Sequence, residues 1–261
     1  MSRNFELMQN LGKERDMFEA STESDVSTTM EEPSVKVVPP VPLEMQPLQL
    51  KMEDGQRDEI YKLVQRVFLV PGAARSRLVV VSAMESGNGC SWLCARMGEV
   101  LASQVSGTVC VVDANLRAPG LHREFGVSNH YGLTDALRVP DPIRRFVTSL
   151  SRPNLWLLSC GAEVEGMQTM VGSERMRALL PELQREFDYV LVDAPPMDAG
   201  DDGVMLGRSS DGIVLVLRAH SSRRESARKA VRDLEVANVR VLGAVLNHRT
   251  FPVPEKIYRK L

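Results

Sequence analysis

A chain of 261 residues that is 43% hydrophobic and 25% charged can bury one sizeable core, which excludes a fibrous or wholly disordered protein. Its formal net charge of -2 at pH 7 gives no global attraction to nucleic acid, and nothing in it reads as a DNA-binding arm. Its apolar runs fall far short of the roughly 20 residues that span a bilayer, and the opening MSRNFELMQN has no apolar signal core, so the protein is expected to be cytosolic or to sit on a membrane through a partner.

Phe5, Met8 and Leu11 are spaced like one face of a short helix, which reads equally as a docking peptide or as an idle amphipathic start. From Glu19 to Met52 the chain is rich in Ser, Thr and Glu and carries the cluster Val38-Pro39-Pro40-Val41-Pro42 without any helical or alternating period, the signature of a flexible, partly polyproline linker. The expected organisation is a short helix and linker over 1–52, a folded domain over 53–250 and a short tail over 251–261.

Apolar segments then alternate with helical ones. Ile60, Leu63, Val64, Val67 and Phe68 make one helical stripe, Met176, Leu179, Leu180, Leu183 and Phe187 a second, and Ala227, Ala230, Val231 and Leu234 a third. Strands are expected at Leu78 to Val81, Thr108 to Val112, Leu155 to Leu158, Tyr189 to Val192, Ile213 to Leu217 and Val241 to Leu246. Strands this apolar are buried on both faces, so the pattern predicts an α/β fold, a doubly wound and mainly parallel sheet, with ligands at the carboxyl ends of its strands.

The first strand runs into LVVVSAMESGNGCS, Leu78 to Ser91. Gly87, Asn88, Gly89, Cys90 and Ser91 have the form of a phosphate loop, in which glycines let backbone N–H groups converge on phosphate and a Ser hydroxyl ligates Mg²⁺. Cys90 stands where such a loop carries lysine. Asp113 and Asp193, each after a hydrophobic strand, are placed to hold Mg²⁺ together with Ser91, although an aspartate ending a strand also serves as a turn or helix cap. Asn247 ends the last strand, where its amide either reads an adenine edge or is a polar turn residue. Cys90 and Cys94 lie i, i+4 and would share a helix face, open to metal or oxidation but more simply buried thiols; Cys90, Cys94, Cys110 and Cys160 include no CxxC pair.

In this order, the glycine-rich loop, VVDANLRAPGLHREFG, FDYVLVDAPP, SSDGIVLVLRAHSSRRESARKAV and VLGAVLNH resemble the bacterial tyrosine autokinases of capsular and exopolysaccharide biosynthesis, within the deviant Walker-motif P-loop ATPases that include MinD- and ParA-like proteins. The resemblance covers about Asp58 to His248. It implies ATP or ADP with Mg as cofactors, Gly87 to Ser91 as the Walker A loop, Asp113 and Asn115 as the second acidic motif, and Asp193 as the Walker B carboxylate. It also implies recruitment to the inner face of the membrane by a transmembrane polysaccharide co-polymerase of the chain-length-determinant type, homo-oligomerisation, and no nucleic-acid partner.

Four features depart from the family's pattern. Cys90 replaces the loop lysine, and Asn115 replaces the second aspartate of Asp-x-Asp. The C-terminal FPVPEKIYRKL holds the single Tyr258 instead of a tyrosine cluster. Lys62 and Gln65 stand where an oligomerisation helix would carry arginines. Arg96 and Arg117 are candidate substitutes for the lysine, but Arg96 lies about a turn and a half into the helix and should point away from phosphate. The expectation is a degenerate, pseudokinase-like regulatory partner of polysaccharide export with weak or no nucleotide turnover. The alternatives are an active tyrosine kinase with a rearranged site, or a MinD- or ParA-like positioning ATPase, against which the absence of an early loop lysine at Met84 and Glu85 counts.

Overall fold

The computed structural model describes Met52, residues 54–69 and residues 76–249. The stripe of Phe5, Met8 and Leu11, the proline cluster and Tyr258 fall outside the described residues.

Alternation along the strands decides the architecture. In β1 (Leu78–Ala83) Leu78 and Val80 face one side and Val79 and Val81 the other, and all four are fully buried, so both faces must be covered. On the Val79 side lie α1 (Asp54–Phe68), through Ile60, Val64, Val67 and Phe68, and α2 (Cys90–Gln104), through Leu93, Cys94, Met97 and Leu101. On the Leu78 side lies α5 (Glu174–Glu186), through Met176, Leu179, Leu180 and Leu183.

The sheet has seven strands in the order β3-β4-β2-β5-β1-β6-β7, where β2 is Val109–Asp113, β3 Thr148–Ser149, β4 Leu155–Leu158, β5 Tyr189–Ala194, β6 Gly212–Arg218 and β7 Val241–Asn247. Every pairing is parallel except that of β3, a two-residue strand that runs antiparallel along the edge of β4. Of three short helices, α3 (Leu121–Phe125) follows β2, α4 (Leu133–Arg138) follows α3, and α6 (Asp202–Arg208) follows β5, while α7 (Arg224–Val236) precedes β7.

The six strands expected from the sequence are all present, and most run one or two residues further at their carboxyl ends than the apolar pattern suggests. β1 continues through Ser82 to Ala83, and β5 through Asp193 to Ala194. Polar Ser82 and Asp193 stay in the sheet because the ladder continues across them, Val81 opposite Asp193 and Ser82 opposite Ala194. β3 and the short helices lack a periodic apolar stripe long enough to announce them. The carboxyl ends of β1, β2 and β5 converge beside the loop that starts α2.

Candidate functional site

Between Ala83 and Cys90 the chain reverses from strand to helix. Gly87 (φ 79°) and Gly89 (φ 81°) both adopt the left-handed conformation that L side chains resist, and Gly89 immediately precedes the first turn of α2. This arrangement turns successive backbone N–H groups and a helix N-terminus toward one point, the geometry of an anion cradle. The loop is held at both ends. Met84 N donates to Val216 O at 2.9 Å, and Asn247 Nδ2 donates to Asn88 O at 2.9 Å. A Cβ on Gly89 would stand 2.5 Å from Asn247 Nδ2. The amide expected either to read an adenine edge or to close a turn is therefore a brace on the loop itself.

Behind the loop stand two carboxylates in register on neighbouring strands, Asp113 on β2 and Asp193 on β5. Asp113 Oδ2 accepts from the N–H groups of Gly120 and Leu121, each at 3.0 Å, while its Oδ1 has no partner. Neither oxygen of Asp193 has a hydrogen-bond partner, and the residue is fully buried. Burial, then the Asp113 charge, pushes Asp193 up to about 7, with the Ser91 hydroxyl and Cys90 thiol pulling the other way. Burial also raises Asp113, to about 6, against the lowering effect of its backbone donors and of Arg123. Ser91 closes the group: a Cβ on Gly120 would lie 2.7 Å from Ser91 Oγ, so the hydroxyl packs on the turn that feeds Asp113.

Ser91 and the loop border a cleft of about 500 Å³, whereas Asp113 and Asp193 are fully buried and do not line it. Its lining comes from the loop from Glu85 to Ser91 with Trp92, from the segment after β2, with Asn115, Arg117, Gly120 and Arg123, and from Pro196, Asp198 and Ala199 after β5. Asn115, at the degenerate acidic position, accepts from Ala118 N at 3.3 Å through Oδ1 and so caps a turn. Cys90 lines the cleft, its thiol raised well above the usual range by burial and by the Asp193 charge, which makes it a poor nucleophile. Cys94, on the same helix face, is buried and raised for the same reasons, and all four cysteines are free. Arg96 is buried, its Nη1 lies 3.0 Å from Glu124 Oε2, and its guanidinium covers the Trp92 ring at 5.1 Å, so it does not serve the loop.

Among the described residues no three His, Cys, Asp or Glu side chains gather as a metal cage. The free Oδ1 of Asp113 and the two free oxygens of Asp193, beside a serine hydroxyl, instead suit a cation that takes its other ligands from phosphate and water, the habit of Mg²⁺. The donor set thus fits a magnesium nucleotide, with Ser91, Asp113 and Asp193 on the metal side and Gly87 to Gly89 on the phosphate side. Arg123, Glu124 and Trp92, which complete the walls, were not singled out from the sequence. The signal for Arg123 and Glu124 was their place in LHREF, one short helix beyond Asp113.

No protein-family model matches the chain. Tyrosine-protein kinase YwqD of Bacillus subtilis is 31% identical over 169 residues, which make up 65% of this chain and 71% of YwqD. Several other curated tyrosine kinases are much longer. The chain spans 24% of the length of Etk of Escherichia coli K12, with 27% identity over 172 residues and 66% of this chain. Among solved structures, the chimerical protein CapA2B2 superimposes with a TM-score of 0.70 over 76% of this chain and 87% of that one, at 20% identity. The septum site-determining protein MinD of Pyrococcus horikoshii, complexed with Mg-ADP, gives 0.58 over 70% and 76%, at 19% identity, a likeness of fold alone.

Proposed function

This chain belongs to the bacterial tyrosine-protein kinases, P-loop proteins of the deviant Walker type, and from that premise we propose that it is a degenerate member: a regulatory partner in exopolysaccharide or capsule assembly that holds Mg-ADP or Mg-ATP weakly and transfers no phosphoryl group. The observation that carries this reading is Cys90. The loop keeps its left-handed glycines, its brace and its serine, while the one position that should bring charge to the β- and γ-phosphates holds a protonated thiol beside a buried aspartate.

A bound magnesium ion would neutralise phosphate charge and orient the oxygens that leave and attack. Ser91, Asp113 and Asp193 would hold it; the loop amides would receive phosphate; Asn247 would keep the loop in shape. Without the lysine, binding loses about 1.5–3 kcal/mol, the net value of a hydrogen bond to a charged group, or roughly ten- to a hundredfold in affinity. Transfer loses more, because charge on the moving phosphoryl peaks in the transition state. Asn115 removes a second anionic group that could serve as base or metal contact, since its Oδ1 accepts from Ala118 N–H in a turn.

Incubation of the purified chain with Mg-ATP and detection of phosphotyrosine tests the reading, which expects no signal. A signal that disappears in Ser91→Ala or Asp193→Ala would establish the second reading, an active tyrosine kinase, which the unpartnered oxygens of Asp113 and Asp193 favour.

The partner we propose is a transmembrane polysaccharide co-polymerase that brings the folded domain to the inner face of the membrane, with Phe5, Met8 and Leu11 as a second contact. No helix of the described residues is long and apolar enough to cross a membrane. Lys62 pairs with Glu59 at 2.7 Å and Gln65 with Gln104 at 2.5 Å, so both family-deviant positions of α1 are engaged within the domain.

A further inference from the structure

An anion cradle needs a cation, and the segment Met84 to Ser91 contains neither Lys nor Arg. Among the described residues that line the cleft, the basic ones are Arg117 and Arg123, both on the segment after β2. They share the cleft with three lining carboxylates, Glu85, Glu124 and Asp198, and with Asp113 and Asp193 behind. A polyphosphate entering this space meets more negative than positive charge. Either its affinity is negligible or the two arginines carry it.

Their placement favours the second. Arg96 is withdrawn, buried against Glu124 and Trp92. Arg123 stands on α3 two residues after Leu121, whose N–H holds Asp113, and its charge already acts on that carboxylate. One of its Nη atoms reaches Pro119 O at 2.9 Å, which leaves the other guanidinium N–H groups for a ligand. Arg117 is anchored only by a long 3.4 Å contact between its Nη2 and Asp202 Oδ2 on α6, and its side chain is 40% exposed. Such a pair contributes little and gives way to a better anion.

We propose that Arg117 and Arg123 supply, from the segment after β2, the positive charge that Cys90 cannot, and that Arg117 leaves Asp202 to do so. The ligand class is a nucleoside di- or triphosphate with its magnesium, so this inference rests on the nucleotide reading of the cleft. A guanidinium matches phosphate oxygens in two parallel hydrogen bonds, a geometry lysine lacks, so the substitution changes how the phosphate is gripped as well as from where.

Calorimetric titration of the full chain with Mg-ADP tests it. Arg117→Ala and Arg123→Ala should each weaken binding about tenfold, the lower end for a hydrogen bond to a charged group. Asp202→Asn should tighten binding, and that gain should vanish in an Arg117→Ala background, a coupling that a merely structural role would not produce. Arg117→Lys should retain part of the affinity, and Arg228→Ala on the exposed face of α7 should change nothing. Thermal melts of each variant exclude a folding defect, which is not expected of surface arginines. Undiminished binding in Arg117→Ala and Arg123→Ala overturns the proposal while leaving the cleft a nucleotide site. A loss in Arg117→Ala without the Asp202 coupling overturns the exchange. No binding by the native chain overturns both the proposal and the nucleotide assignment, while the pseudokinase reading, which turns on phosphotyrosine, stands.

Discussion

Asp113 and Asp193 face each other across neighbouring strands at one register position, and of their four carboxylate oxygens only Asp113 Oδ2 has a hydrogen-bond partner. Two like charges set this close in a buried place cannot both ionise freely, so their protons belong to the pair. Native proteins rarely leave three buried acceptors unused. Here the unused oxygens point to a ligand that completes them.

Stability should therefore depend on pH in the direction opposite to that of most carboxylates. Burial raises the folded values, to about 6 for Asp113 and about 7 for Asp193, above their unfolded ones. Between about pH 4 and pH 7 the folded state keeps protons that the unfolded state has released, so without magnesium stability falls as pH rises through that window. Glu99, which burial pushes up to about 7 despite Arg96, Arg152 and Arg57, adds a slope of the same sign. Asp193→Asn should flatten much of the decline and raise stability at pH 8 by on the order of 2–4 kcal/mol. Urea unfolding at pH 5 and pH 8 checks this; a native chain more stable at pH 8 would refute it.

Gly89→Ala should damage the loop twice. It forces a side chain into a left-handed backbone, which costs about 1–2 kcal/mol, and places a Cβ on Asn247 Nδ2. Adding Asn247→Ala should relieve the collision and leave the backbone strain, so the double variant recovers part of the lost melting temperature. Full recovery would mean that φ at Gly89 is unimportant.

Cys90→Lys with Asn115→Asp should raise Mg-ATP affinity roughly ten- to a hundredfold. Arg117 and Arg123 would then matter less than in the native chain. Unchanged affinity in the double variant would show that the loop, despite its braced glycines, is closed to phosphate.

Gly98 lets α2 approach the sheet, because a Cβ there would meet Val111 Cγ2 at 2.5 Å. Gly98→Ala should destabilise by about 1–3 kcal/mol through overpacking, in spite of the better helix propensity of alanine. Val111→Ala should rescue it in part. Denaturant midpoints measured on the four variants of the cycle decide.

Cell fractionation tests the proposed partner. The chain should appear in the membrane fraction when a polysaccharide co-polymerase is co-expressed and remain in the supernatant otherwise. Equal distribution in both strains would remove the export assignment.

Much of this was legible in the sequence because its signals were local and periodic. Apolar runs such as Val79 to Val81 and stripes such as Met176, Leu179, Leu180 and Leu183 mark strands and helices without reference to the rest of the chain. Asp113 and Asp193 stood out in the sequence as candidate site residues because each closes such a run. The role of Asn247 was not legible, since its partner, Asn88, lies 159 residues away and only the sheet order brings them together. That Arg96 turns away from the loop was legible from its place in α2, but its partner Glu124, in a helix too short to show a period, was not. β3 escaped because two residues carry no pattern at all.

The chain has two tryptophans, and the fold sends them to different neighbourhoods. Trp156 belongs to β4 near the sheet edge, beside Phe187 and under the guanidinium of Arg144, while Trp92 borders the cleft with Arg96 over its ring. Replacing Trp156 with phenylalanine would leave a single indole as emitter, stationed at the mouth of the cleft. Its fluorescence would then report every occupant without any attached dye, and would time arrivals and departures that equilibrium heats cannot see.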